Sequence, residues 1–164
     1  MSLILIHSDH FTLHQPPPGH PERPERGEVM ELVVARWRQS GGEVVSPRVA
    51  TREHLLRVHD EEHIRRIDET AGAAVALDPD TYTSPDTSEV ARLAAGAVVD
   101  GVERVWAGRH ARALVLVRPP GQHAERGADR DNLLADAHVI HRSEAQGHLL
   151  RVRAVHLENR EIGA

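Results

Sequence analysis

Gln122 and His123 follow Pro119-Pro120-Gly121 at the end of an apolar run, Ala113-Leu-Val-Leu-Val117. An imidazole titrates near neutrality and can move a proton; an amide can hold a water molecule but cannot carry charge. The apolar run reads as a fully buried strand, too short for a helix and rich in β-branched valine. Neither proline can donate to a ladder, and glycine permits a sharp reversal. Gln122 and His123 therefore sit just past the carboxyl end of a strand, where open α/β sheets place their ligands.

Other polar stretches could contribute to such a site. His20-Pro-Glu-Arg-Pro-Glu-Arg26 closes a long loop from His7, in which Pro16-Pro17-Pro18-Gly19 and Pro21 exclude a helix. Asp78-Pro-Asp-Thr-Tyr-Thr-Ser-Pro-Asp86 is a second proline-bounded loop, ending in a helix cap at Asp86, Thr87 or Ser88. Asp136, His138 and His141 form D-x-H-x-x-H within a segment, Leu133 to Ala145, that can be helical. On a helix His138 and His141 share a face, and three such ligands could hold zinc. No supporting shell is visible around them, and accumulation of histidine in a weakly constrained tail accounts for them better.

The elements that must position these residues follow from periodicity. Leu3 to Ile6 reads as a buried strand and Glu43 to Val45 as a short one. Between them Val29, Leu32, Val33 and Trp37 mark one face of an amphipathic helix that Gly41-Gly42 ends. Thr51 caps a helix carrying Leu55, Leu56 and Val58, and Asp60 starts another carrying Ile64 and Ile67. His59, between them, reads as a structural histidine. Val90, Leu93, Ala94, Ala97, Val98, Val102 and Val105 trace a long helix ending near Gly108, which leads into the central strand. Arg151 to Val155 reads as a fourth strand. Strands alternating with amphipathic helices predict an α/β domain whose strands near Leu3, Val44, Leu114 and Val152 pair in parallel, with helices on both faces.

Composition narrows the function. The 164 residues suit one domain, and the formal charge is −5. All 20 basic residues are arginine, a bias that reads as genome composition rather than a nucleic-acid footprint. Phe11, Trp37, Tyr82 and Trp106 are too few aromatics for a base-stacking platform, so no nucleic-acid partner is expected. The absence of cysteine excludes disulfides and thiolate metal sites and fits a reducing compartment. The first residues are too weakly apolar for a signal peptide or a membrane span, so the cytoplasm is expected and no membrane partner. With 13 histidines, a metal site has to be considered.

Four of these stretches carry a family resemblance. Arg118-Pro-Pro-Gly-Gln-His-Ala124 resembles the R-P-P-G-H-H-A signature of zinc-dependent histone deacetylases and acetylpolyamine amidohydrolases, with Gln122 in place of the first histidine. His20 to Arg26 is similar to the family's H-P-E-R-P-x-R loop, and Asp78 to Pro85 to its D-x-D-T-Y-x-S-P segment; Leu55-Leu-Arg-Val-His59 matches a further L-x-x-V-H phrase. The resemblance implies a three-layer α/β/α fold with a mainly parallel sheet, of the arginase and deacetylase type. It spans residues 1–164 as a single partial domain, well matched over 1–125 and degenerate over 126–164. A complete family domain is roughly twice this size, so the amino-terminal half is what the sequence matches.

The resemblance also implies site residues. His123 stands for the second catalytic histidine and Gln122 for the first; His20, Arg23, Arg26, Tyr82, Pro119 and Gly121 belong to the substrate loops. Zinc is expected for the family, held by two aspartates and a histidine. Laid without gaps, Glu158 falls at an aspartate ligand and Arg160 at the histidine ligand, so the metal is not expected on this chain. The family reaction, hydrolysis of acetyl-lysine or acetylpolyamine amides, would take an acetylated protein or small molecule. Two outcomes are expected to compete: a degenerate, non-catalytic binding or scaffold relative, or a piece of a longer active deacetylase. Half of a doubly covered sheet would expose a strand edge and apolar surface, which predicts self-association.

Overall fold

A computed structural model describes residues 2–20, 22–79 and 81–120, together with the backbone of strands 138–143 and 149–154. Strand β1 (Leu3–Ile6) leads through a short 3-10 turn (Asp9–Leu13) to helix α1 (Glu25–Gln39) and strand β2 (Glu43–Val45). Two short helices follow, α2 (Arg52–Leu56) and α3 (Glu61–Glu69), then a small hairpin of β3 (Ala76–Asp78) and β4 (Thr81–Tyr82). Helix α4 (Thr87–Trp106) precedes β5 (Arg112–Val115), and β6 (His138–Ser143) and β7 (Leu149–Ala154) complete the order. The main sheet runs β2-β1-β5-β6-β7.

Side chains alternate along a strand, and here the alternation divides two cores. Ile4, Ile6, Ala113, Val115 and Val117 join Phe11 and the buried face of α4, including Val90, Ala94, Ala97 and Val105. Leu5 and Leu116 instead meet Met30 and Val34 of α1, with Leu114, Val44 and Trp37 packed against them. The sheet is therefore covered by α1 on one face and α4 on the other. Both faces are apolar, which is why the strands read as continuous rather than alternating hydrophobic runs.

The helix starts follow the expected chemistry. Thr51 caps α2 in a capping box with His54, and the Asp60 carboxylate accepts from the His63 amide at 2.8 Å. Gly41 ends α1 at φ 79°, a left-handed position that glycine takes without a steric penalty. Among the described residues no helix is long and apolar enough to cross a membrane.

Several expectations need correction. β1 pairs in parallel with β2 and β5, but β5–β6 and β6–β7 are antiparallel. The strand around Val152 thus runs in the same direction as β5 but beside an antiparallel neighbour. The segment read as a helix from Leu133 contains β6, so the helical spacing of His138 and His141 is not realised. In α1 the buried residues are Met30 and Val34, with Trp37 beside them, while Val29, Leu32 and Val33 face outward. Leu56 and Val58 are likewise exposed, leaving Leu55 as the anchor of α2. β5 ends at Val115, earlier than the apolar run, although the Leu116 amide still donates to Ile6 O at 3.1 Å. Finally, the segment read as a polar loop from Asp78 opens with a hairpin.

Residues 48–50 cross α4 so closely that Gly96 has no room for a side chain. A Cβ there would lie 1.8 Å from Arg48 O and 2.5 Å from Ala50 N, both backbone atoms that cannot swing aside. Gly96→Ala should destabilise the fold by about 1–3 kcal/mol, the usual range for overpacking. Thermal denaturation measures this, and an unchanged midpoint would show that the crossing is looser than described.

Candidate functional site

The strand-end loop is held by a buried guanidinium. Arg118 directly precedes Pro119, through a cis peptide bond, and is 2 % exposed. Its Nε donates to Glu22 Oε1 at 2.7 Å and its NH2 group to Glu22 Oε2 at 2.6 Å, a two-pronged pairing that fixes orientation as well as distance. The remaining donors reach backbone carbonyls, NH1 to Phe11 O and NH2 to His14 O, each at 3.3 Å. One side chain thereby ties the Pro119-Pro120 turn after the central strand to the segment that follows β1. Gly27 makes room for it: a Cβ there would meet Thr12 Cγ2 at 3.2 Å and an Arg118 nitrogen at 3.4 Å.

A polar network extends from this pair to the second loop. His14 is buried, with Nε2 3.6 Å from Glu22 Oε2 and Nδ1 2.9 Å from Thr87 Oγ1. Thr87 Oγ1 also accepts from the Ser84 amide at 2.7 Å and lies 2.9 Å from the Ser84 hydroxyl. Ser84 in turn accepts from the Gln15 amide at 3.1 Å and donates to Leu13 O at 3.3 Å. Burial lowers the His14 pKa to about 4; Glu22 opposes that shift and Arg118 adds to it. His14 is therefore neutral at physiological pH, a hydrogen-bonding strut rather than a charge. A second histidine, His7, donates from Nδ1 to Leu116 O at 2.9 Å, with Nε2 2.8 Å from Glu31 Oε1.

The expected substrate-loop residues converge in part. His20 meets Tyr82 edge-on, ring centroids 5.4 Å apart, which brings the first loop against the hairpin. The His20 Nδ1 accepts from the Glu22 amide at 3.1 Å, so the ring is fixed next to the buried pair. Arg23 is exposed and Arg26 half-buried, whereas Pro119 is buried. Gly121, Gln122, His123, Glu158 and Arg160 lie outside the described residues, as does Asp136. His59 is buried and stacks on His63 at 4.8 Å, in keeping with a structural role. Among the described residues no group of three or more histidine, aspartate or glutamate side chains could hold a metal.

With the clamp placed between the two loops and the central strand, likeness to known proteins becomes interpretable. Residues 20–130 match the model of the histone deacetylase domain. The chain belongs to the histone deacetylase family. It is similar to histone deacetylase 15 of Arabidopsis thaliana, 34% identical over 124 residues, covering 74% of this chain and 22% of that protein. A human polyamine deacetylase is 34% identical over 147 residues, covering 78% of this chain and 21% of its own length. Among solved structures, the HDA15 HD domain superposes with a TM-score of 0.71 at 28% identity, over 82% of this chain and 40% of that one. The chain thus spans less than half the length of each relative. The three-layer fold expected from the motifs, over the amino-terminal part of the domain, agrees with this neighbour.

Sequence reasoning quoted Arg118 and Glu22 within motifs but gave neither a role; it read Thr87 only as a candidate helix cap and passed over His14. A signal was available. An arginine closing a run of buried aliphatics needs a carboxylate, and the proline-rich loop offers Glu22 and Glu25. Which of the two pairs with it depends on how the loop folds back.

Glu22→Gln should cost about 3–5 kcal/mol in urea unfolding, because it leaves a buried cation without its counter-charge. The double change Glu22→Leu with Arg118→Met should cost less than Glu22→Gln alone. If the double change proved the more destabilising, the pair would be a net stabiliser rather than a device for position.

The buried His14 also makes a prediction about pH. Its folded pKa of about 4 lies below the unfolded value near 6.5, so the unfolded chain binds more protons between those limits. Its contribution is complete above about pH 6.5 and is lost as the pH falls toward 4. His14→Gln should therefore lose less stability than the wild type between pH 7 and pH 4.5. Parallel slopes in denaturant titrations at the two pH values would refute this.

Proposed function

We propose that this chain keeps the substrate-facing framework of a histone deacetylase but does not by itself hydrolyse acetylated amides. The family reaction it derives from would be zinc-dependent hydrolysis of acetyl-lysine or acetylpolyamine amides. The observation that carries the reading is the donor set. Zinc with an open position polarises an amide carbonyl and acidifies water, and it needs lone pairs from several ligands. The candidate positions offer one carboxylate, Glu158, and one permanently cationic guanidinium, Arg160, which has no lone pair to give. A cation next to a cation grows more unfavourable as the site becomes drier. At those two positions the residues do not fit the metal.

What the chain's own residues can do is more modest. Arg118 and Glu22 hold the Pro119-Pro120 turn that precedes Gln122 and His123 in the sequence. An imidazole such as His123 can exchange a proton, while an amide such as Gln122 can orient a water but not deprotonate it. His20 and Tyr82 supply an aromatic margin for an acetylated ligand, a protein lysine or a small molecule. The role left is that of a non-catalytic binding or scaffold relative. A second reading has its own support: because the chain spans only 21–22% of two curated relatives, it can be part of a longer active deacetylase.

Zinc stoichiometry by atomic absorption, run beside a fluorogenic deacetylation assay, tests the proposal. The chain should bind less than stoichiometric zinc and turn over no faster than background. Gln122→His should change neither result, since a restored proton shuttle has no activated water to serve. One tightly bound zinc, with turnover that vanishes in His123→Ala, would overturn the proposal and place the ligands elsewhere.

A further inference from the structure

Helix α1 turns the wrong face outward for a lone helix on a sheet. Its inner face is Gly27, Met30 and Val34, yet the opposite side still presents Val29, Leu32 and Val33, exposed by 43%, 70% and 40%. Holding large aliphatics in water forfeits their transfer free energy. Three on one helix face, with none of them reaching the protein's own core, form a patch rather than scattered exposure.

The spacing and the charges around that patch define a partner. Glu25, Val29, Leu32 and Arg36 occur at i, i+4, i+7 and i+11, the alternating four-and-three step that keeps one seam facing a second helix. All four are exposed, and neither Glu25 nor Arg36 has an ion-pair partner among the described residues. The seam thus begins with an anion, carries two aliphatics, and ends with a cation. Turned end for end about a two-fold axis midway between residues 30 and 31, it complements itself. Val29 of one copy then lies over Leu32 of the other, Val33 flanks them, and each Glu25 faces an Arg36. The same antiparallel arrangement sets opposite ends of the two helix dipoles together. In a parallel pair the like charges would face each other.

We infer that α1 is a homodimerisation surface, pairing antiparallel with α1 of a second copy through Val29, Leu32 and Val33 and closed at both ends by Glu25–Arg36 pairs. This contact is isologous, so it closes at two copies. It also differs from association through open sheet edges, because no strand takes part. It stands independently of whether the chain binds zinc or an acetylated ligand.

Sedimentation equilibrium of the full chain from roughly 1 to 500 µM, a span suited to an interface smaller than standard size, reads the assembly. The wild type should show a reversible monomer–dimer equilibrium that Leu32→Asp abolishes. Glu25→Arg and Arg36→Glu place like charges at both ends of the seam, so each alone should weaken the dimer at least about tenfold. An equimolar mixture of these two variants should regain it, since every facing pair is again opposite in sign. Circular dichroism melts confirm that the exposed substitutions leave the fold intact. A wild type that stays monomeric throughout, a dimer that survives Leu32→Asp, or a mixture without rescue would each overturn the inference.

Discussion

The pairing of Arg118 with Glu22 is the constraint on which the site depends. Both side chains are buried, and both prongs of the guanidinium are used on one carboxylate. Removing two charges from water costs several kcal/mol per ion, and their attraction in the interior does little more than offset that. The pair is therefore poorly explained as a source of stability. What it provides is position: the carboxylate belongs to the proline-rich loop and the guanidinium to the end of the central strand. Neither can be satisfied unless the loop folds back over that strand.

Around the pair, polar groups substitute for regular secondary structure. Among the described residues, the 3-10 turn and the stretch that joins it to α1 take part in no β-ladder that would satisfy their backbone. Phe11 O and His14 O find Arg118 instead, and the Gln15 amide finds Ser84. A neutral His14 suits this setting, since a second buried cation beside Arg118 would oppose the pairing. Thr87 at the start of α4 then couples the network to the helix that covers the sheet. The loops at the site are thereby locked by the same elements that build the core, which is how a loop acquires the fixity a binding site needs.

Cover on the two sheet faces is unequal in kind. Helix α4 is buried along much of its length and even admits a backbone crossing at Gly96. Helix α1 meets the sheet through a narrow strip and keeps a second apolar strip outside. That asymmetry separates the two roles. One helix carries the core and the other end of the polar network, while the other offers a surface.

Much of this was legible in the sequence. Short apolar runs at Leu3, Val44 and Leu114 had to be strands, because each is too short to bury a helical face and rich in aliphatics that fit a doubly covered sheet. The caps at Thr51 and Asp60 followed from side-chain oxygens placed to accept amides, and the motif at Arg118-Pro-Pro-Gly marked the strand end. The sequence could not choose between the two apolar stripes of α1. Met30 and Val34 compete there with Val29, Leu32 and Val33, and only the sheet beneath decides which stripe is buried. Nor could it give the antiparallel direction of β6, since a run of residues carries no record of which neighbour its ladder will meet. The sequence by itself determined the local elements and the residues of the loops, because those depend on periodicity, proline and capping chemistry. That Glu22 rather than Glu25 neutralises Arg118, some ninety residues away, was decided by the tertiary structure alone, because only the returning loop brings that carboxylate to the one buried cation of the strand end.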